Sequence, residues 1–154
     1  MPRVSNIELL HQAEQPTIVI RTRTKVEHLP MLIGESFAKL SSYLEEQDQI
    51  LSDVPFVAYH NMEMQDLDVE IGFPVAQPLL AQGDIVPGTI PGGLRIFCMY
   101  RGPYQDMGHL YIEMQEWMTA HGYLPAGPVY EQYYNGPEFP ERELLTRITM
   151  RVRK

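Results

Sequence analysis

The sequence predicts an α+β fold: a tandem βαββ repeat with pseudo-two-fold symmetry, built on an antiparallel sheet with one main helix per half. Three observations carry this. The stretch from Gly93 to Tyr123 reads as strand, tight turn, helix and stop. An offset of 74 residues lays that stretch on an earlier one: Leu94 on Ile20, Arg95 on Arg21, Gly108 on Gly34, Tyr111 on Phe37, Met114 on Leu40, Trp117 on Tyr43 and Met118 on Leu44. The same offset then puts Tyr133 on Tyr59 and Asn135 on Asn61, so the match runs through a strand, a helix and a second strand. Agreement across three elements reads as internal duplication, with too few copies and too long a period for a solenoid. Pseudo-repeats over about 17–75 and 92–152 are expected, within one domain covering 1–154.

In chain order, Met1 to Pro16 is polar and weakly patterned. Thr17 to Thr24 is rich in β-branched residues, which suit a strand. Pro30 fits the first turn of a helix, and Ile33, Phe37, Leu40 and Leu44 mark one apolar face through Glu46. Strands follow at Phe56 to Asn61 and Leu67 to Phe73. In the second, Leu67, Val69, Ile71 and Phe73 alternate with Asp68, Glu70 and Gly72. Gln77 to Gly93, rich in Gly and Pro, reads as a connection between halves. The apolar run Leu94 to Tyr100 is the next strand, and Gly102-Pro103 the turn. Asp106 is the expected N-cap of a helix reaching His121, with Gly122 as its left-handed stop. Val129 to Tyr134 and Leu144 to Val152 close the second half. Thr146, Ile148, Met150 and Val152 are expected to meet the helices, and Arg147 to face away.

The chain has 154 residues, enough for one full core, and its 44% hydrophobic content excludes disorder as the default. A net charge of −8 and a pI near 5.0 argue against direct nucleic-acid binding. Arg142, Arg147, Arg151, Arg153 and Lys154 gather near the C-terminus and read as a solvated strand edge. The lone Cys98 permits no intramolecular disulfide and, set in an apolar strand, reads as a buried inert thiol. With no signal peptide and no membrane span, a cytoplasmic location is expected.

No catalytic motif, metal site or cofactor site is read from the residues. His11, His28, His60, His109 and His121 lack metal-ligand spacing. The aromatics are more informative. Tyr59 corresponds to Tyr133 and Phe56 to Tyr130. Two related strands presenting Tyr59 and Tyr133 on the side of the sheet away from the helices would line a symmetric apolar cleft for a small organic ligand. Tyr111 and Trp117 lie on the helix stripe beside it, and Glu70, mid-strand among apolar residues, would be its acid. The candidate ligand-binding residues are therefore Phe56, Tyr59, Glu70, Tyr111, Trp117, Tyr130, Tyr133 and Arg147.

The run IPGGLRIF from Ile90, then YRGPY and MGHLYIEMQEWM, followed by GPVYEQY and PEFPERELLTRI, resembles the GyrI-like small-molecule-binding domain. This is the effector-binding domain of AraC-type and MerR-type multidrug regulators and of stand-alone DNA gyrase inhibitory proteins. DVEIGFPV from Asp68 matches its first-half strand, and the resemblance covers Thr17 to Val152. It implies a tandem βαββ pair. It also implies a pocket glutamate after a threonine in the last strand, where this chain has Arg147 in Thr146-Arg147-Ile148. That departure implies a Glu70–Arg147 pair across the cleft or, if Arg147 is unpaired, a preference for neutral or anionic ligands.

The expected function is stand-alone binding of a small hydrophobic, aromatic or amphipathic ligand in a cleft between the repeats. The regulators' DNA-binding domain has no room here, so action alone, as a homo-oligomer or with a protein partner is expected. Two alternatives stay open. One is hydrolysis of cyclopropane-bearing toxins, with Glu70 or Glu131 as general base. The other is a gyrase-inhibitor-like interaction with a protein.

Overall fold

The computed structural model describes residues 3–154. Its elements run β1 (Glu8–Gln12), β2 (Gln15–Thr24), α1 (Leu29–Glu46), β3 (Phe56–Tyr59), β4 (Leu67–Pro74), β5 (Val86–Ile90), β6 (Gly93–Arg101), α2 (Gly108–Ala120), β7 (Leu124–Tyr133) and β8 (Leu145–Arg153). The class is α+β, every strand pairing is antiparallel, and α1 is the longer helix at 18 residues against 13. The chain divides into two compact units, Ala13–Gly92 and a second made of Gly93–Lys154 with the stretch ending at Gln12.

In the unit Ala13–Gly92, β2 pairs with β5 on one side and β4 on the other, and β4 pairs onward with β3. Helix α1 lays Leu40, Tyr43 and Leu44 on Ile18 and Ile20 of β2 and on Phe73, Val75 and Ile85. These helix positions recur every three or four residues, as an amphipathic stripe requires. The Phe37 ring meets Phe73 at 5.4 Å, and the Tyr43 hydroxyl donates to the Leu80 carbonyl. The helix ends on Asp48, whose φ of 54° lets the Gln49 N–H reach back to the Leu44 carbonyl at 2.9 Å.

In the other unit, β6 pairs with β1 and β8, and β8 pairs onward with β7. Helix α2 buries Leu110, Met114 and Met118 against Ile96, Cys98 and Tyr100 of β6 and Ile148, Met150 and Val152 of β8. The β8 alternation expected from sequence is therefore present, with Arg147 on the opposite side. Gly122 adopts φ 77° and frees the Tyr123 N–H to bond the Met118 carbonyl at 2.9 Å, as expected of the stop.

Several expectations are corrected. The stretch before Pro16 contains β1 and the Gly/Pro-rich connection contains β5. Each pairs on one side only within its unit, where Pro87 of β5 is tolerated. Asp106 does not cap α2: it ends a short 3-10 turn, Tyr104–Asp106, and Met107 takes the cap position without a side-chain bond. The basic C-terminal segment is no strand edge, since β8 lies between β6 and β7.

Each unit contains a β, α, β, β run, with β5 added after it in one and β1 before it in the other, but one offset does not relate their residues. In β3 and β7 an offset of 74 holds, Ala58 facing Glu70 and Gln132 facing Arg147. In β2 and β6 the same offset pairs Arg21 with Arg95, yet Arg21 faces Glu70 while Arg95 faces Arg151, two periods of the alternation beyond Arg147.

The polar face of β2 and β4 carries a test of pH dependence. Arg21 holds Asp68 with two bonds of 3.1 and 2.9 Å. Those bonds keep the Asp68 carboxyl below its ordinary value against the opposing effect of burial. A lowered carboxyl stabilises the fold above about pH 3.9, its unfolded value, and that contribution is lost as pH falls through the folded value. Arg21 is half exposed, so the pair contributes about 0.5 kcal/mol. Asp68→Asn is expected to lower stability by that amount at pH 6 and to match the parent protein at pH 2, read by urea unfolding at both values.

Candidate functional site

The residues that converge lie in the unit containing α2, where a polar turn, a helix and a strand meet. Gly102 makes the turn possible. Its φ is 144°, and a Cβ there would stand 2.9 Å from the Tyr100 hydroxyl. That hydroxyl donates to the Pro103 carbonyl at 2.6 Å, and the Gly102 N–H to the Leu144 carbonyl at 2.9 Å. The loop so fixed carries Tyr104, whose ring meets the edge of Tyr133 at 5.6 Å and 70°.

Glu131 and Tyr133 are two apart on β7 and share a face. Glu131 stands opposite Ile148, a residue of the core under α2, so this is the helix-covered face. The Tyr133 hydroxyl donates to Glu131 Oε1 at 2.8 Å, and the Tyr111 hydroxyl, from α2, donates to Oε2. Both oxygens accept, the pattern of a carboxylate, and Glu131 is only 7% exposed. Burial first, and the Glu131 charge second, push the Tyr104 hydroxyl above its ordinary pKa. Thr146, opposite both Tyr133 and Tyr100, keeps a buried Oγ1 with no hydrogen-bond partner on this face. The result is a buried carboxylate that accepts from two tyrosine hydroxyls beside aromatic rings. Such a group can receive a cation or orient a proton donor. A depression of about 550 Å³ is lined by Tyr100, Arg101, Pro103, Gln105, Asp106, Gly108 and His109, and none of Tyr104, Tyr111, Glu131 or Tyr133 borders it.

Of the residues expected from sequence, Tyr111 and Tyr133 come together here. The others stand apart from this cluster. Tyr133 lies on the helix-covered face, and so does Tyr59, opposite Val69 in a ladder continuous with Ile71 and Ile20, which corrects the face expected for both. Phe56 and Tyr130 are buried on the faces away from the helices, opposite Gly72 and Thr149. Trp117 lies further along α2, its ring stacked on His121 at 3.8 Å and on Tyr123 at 6.1 Å. The Glu70–Arg147 pair is replaced by separate partners within each unit. Glu70 Oε1 meets His60 Nε2 at 2.5 Å, while Arg147 Nε donates to Gln132 Oε1 at 2.7 Å and its guanidinium lies 5.5 Å from the Phe97 ring centre. The acid of the cluster thus comes from β7, not β8. Among the described residues, no group of three His, Cys, Asp or Glu could hold a metal ion, and no helix is long and apolar enough to cross a membrane.

A family model described as "GyrI-like small molecule binding domain" matches residues 5–153. No curated protein matches the chain. Among solved structures, the EcmrR C-terminal domain superposes with a TM-score of 0.78 at 21% identity, covering 98% of this chain and 99% of that one. The EcmrR–DNA complex gives 0.78 at 22% identity, covering 97% of this chain, which spans 57% of the EcmrR chain. A hydrolase from Listeria innocua gives 0.67 at 12%, with 99% and 94% covered. A structure solved bound to tetraphenylphosphonium gives 0.68 at 11%, with 97% and 94% covered. At these identities the likeness is one of fold.

Proposed function

Because the chain belongs to the GyrI-like small-molecule-binding domain family, related to regulator effector domains, we propose that it binds a small aromatic cation against Glu131. One observation carries the reading: a carboxylate buried beneath α2 that accepts from the Tyr111 and Tyr133 hydroxyls and lies among aromatic rings. Hydroxyl donors orient a carboxylate, and carboxylates and aromatic faces both attract cations. Tyr104, Tyr111 and Tyr133 are the rings assigned to the ligand, and the unpartnered Thr146 hydroxyl is a further polar contact for it. Tyr59, Phe56, Glu70, Trp117, Tyr130 and Arg147 take no part in this reading. The tetraphenylphosphonium complex of a neighbour of the same fold supports the ligand class. The shared β, α, β, β order of the two units supports an internal duplication within one functional domain, and the lone cysteine a reducing compartment such as the cytoplasm.

The test is a calorimetric comparison of tetraphenylphosphonium with neutral triphenylphosphine oxide, which has similar rings and no charge. The phosphonium is expected to bind at least tenfold tighter and to raise the melting temperature. Equal affinity, or none for either, would overturn the reading. Hydrolysis is the second reading, favoured because the same carboxylate could take a proton from water and a neighbour is named a hydrolase. It requires turnover of a strained substrate that is lost in Glu131→Gln.

A further inference from the structure

Asn61 and Asn135, 74 residues apart, hold the same place in the two units. Each lies two residues beyond the end of a strand, β3 or β7, where the loop to the next strand begins. Each side-chain amide bridges that loop. Asn61 Nδ2 donates to the Asp66 carbonyl at 3.1 Å, and its Oδ1 accepts from the Asp68 N–H at 3.0 Å. Asn135 Nδ2 donates to the Glu143 carbonyl at 2.9 Å, and its Oδ1 accepts from the Leu145 N–H at 2.8 Å. Both residues are half-buried. What differs is the residue that follows. Met62 follows Asn61, whereas Gly136 follows Asn135, the one Asn-Gly step in the sequence.

An asparagine side chain can be attacked by the backbone nitrogen of the next residue, which closes a five-membered imide. A side chain on that next residue crowds the closure, and glycine has none. Three features at Asn135 favour the attack. The Leu145 N–H on Oδ1 polarises the Cγ carbonyl and stabilises the oxyanion that forms there. The Gly136 N–H, the attacking group, is engaged in no backbone hydrogen bond among the described residues. The Glu138 carboxylate lies over Gly136, its Oε2 2.9 Å from where a Cβ would stand. A carboxylate so placed can take the amide proton directly or through one water.

We propose that Asn135 is a site of self-modification, converting through a succinimide to isoaspartate. The Gly136 nitrogen bonds to Asn135 Cγ and gives up its proton to Glu138. The Cγ–Nδ2 bond then breaks, and ammonia leaves with that proton. Water opens the imide at either carbonyl, leaving isoaspartate or aspartate, with no change of oxidation state. Both products are carboxylates, which accept but cannot donate, so the Glu143 carbonyl loses its donor. Isoaspartate also lengthens the main chain between β7 and β8 by one carbon. The modification does not rest on any ligand at Glu131.

The test is peptide mapping by mass spectrometry on the whole protein held in mildly alkaline buffer, with an isoaspartate methyltransferase assay for the isomerised product. Asn135 is expected to convert at least tenfold faster than Asn61, an internal control with the same pair of hydrogen bonds, and to give isoaspartate in excess over aspartate. Gly136→Ala is expected to slow the conversion at least tenfold. Its fold should persist, because the Gly136 φ is not left-handed and the new methyl group meets only the far end of the Glu138 side chain. Glu138→Gln is expected to slow the conversion at least threefold. Circular dichroism confirms that each variant is folded. If Gly136→Ala does not fold, the Asn135-to-Asn61 ratio and Glu138→Gln decide. A ratio below tenfold, or a rate unchanged in either folded variant, would overturn the proposal.

Discussion

Glu131→Gln is expected to raise the Kd for tetraphenylphosphonium about 100-fold, which corresponds to ~2.7 kcal/mol. The substitution keeps the shape of the side chain and removes its charge. A unit charge pair about 4 Å apart is worth on the order of 4 kcal/mol at an effective dielectric of 20, so the expected loss is a large fraction of that attraction. It also disturbs the local donors. The carboxylate accepts from Tyr111 and from Tyr133. An amide offers one oxygen and one NH2 group, so one tyrosine hydroxyl must turn away or accept instead. Tyr133→Phe separates the two effects: it removes one donor and leaves the charge, and about a fivefold loss is expected. Triphenylphosphine oxide should bind Glu131→Gln and the parent protein within threefold of each other. A parallel loss for phosphonium and oxide would mean that Glu131 shapes the site without reading charge. That result would leave the family assignment intact and remove the cation from the proposed function.

Much of the architecture is legible in the sequence where a pattern has only one solution. The α2 stripe of Leu110, Met114 and Met118 can only be buried on one side of a helix, and it is. Gly122 follows the last apolar position of that helix, and its positive φ is a direct consequence. In β8, Thr and Arg alternate with large apolar residues, so the covered face is plain. The site was harder to read because its strands do not alternate. Phe56, Val57, Ala58 and Tyr59 are all apolar, and either set suits either face. In β7, Val129, Glu131 and Tyr133 share one side with an acid among apolar residues, a combination that a half-buried strand places toward solvent. The helix covers that side instead, because the two tyrosine hydroxyls satisfy the carboxylate there. The sequence signal was present: Glu131 has the parity of Tyr133, and Tyr111 belongs to the helix that packs above them. Arg147 drew attention by resemblance and by alternation, and its parity with Thr149 and Arg151, against Ile148, does put it on the face away from α2. The edge strands β1 and β5 are short, exposed and in one case broken by Pro87. They lack the apolar alternation by which strands are read.

Gly72→Ala is expected to destabilise the fold by about 3 kcal/mol, at the upper end of what overpacking one methyl group does. Gly72 sits inside β4 between β2 and β3, opposite Val19 and Phe56. A Cβ there would stand 2.6 Å from Phe56 Cζ, 2.7 Å from Val19 Cγ1 and 2.9 Å from the Ile18 carbonyl oxygen. The two side chains are 1% and 3% exposed, so they have no solvent to swing into, and the carbonyl belongs to the ladder and moves only with its strand. A glycine inside a strand normally weakens it through backbone entropy. Here it admits the Phe56 ring across the bare backbone. This is the physical reason that Phe56, expected from sequence at a ligand, is a packing residue. The expected result is a lower urea midpoint at unchanged m-value. A second substitution identifies which contact dominates. Phe56→Leu removes the ring atom nearest the new methyl, so in the Gly72→Ala background it should cost at least 1 kcal/mol less than in the parent protein, read as a double-mutant cycle. Strict additivity would transfer the clash from the ring to Val19 and the Ile18 carbonyl. A loss below 1 kcal/mol for Gly72→Ala alone would mean that β2 and β4 separate readily, and that the close packing around Phe56 is not what holds this face together.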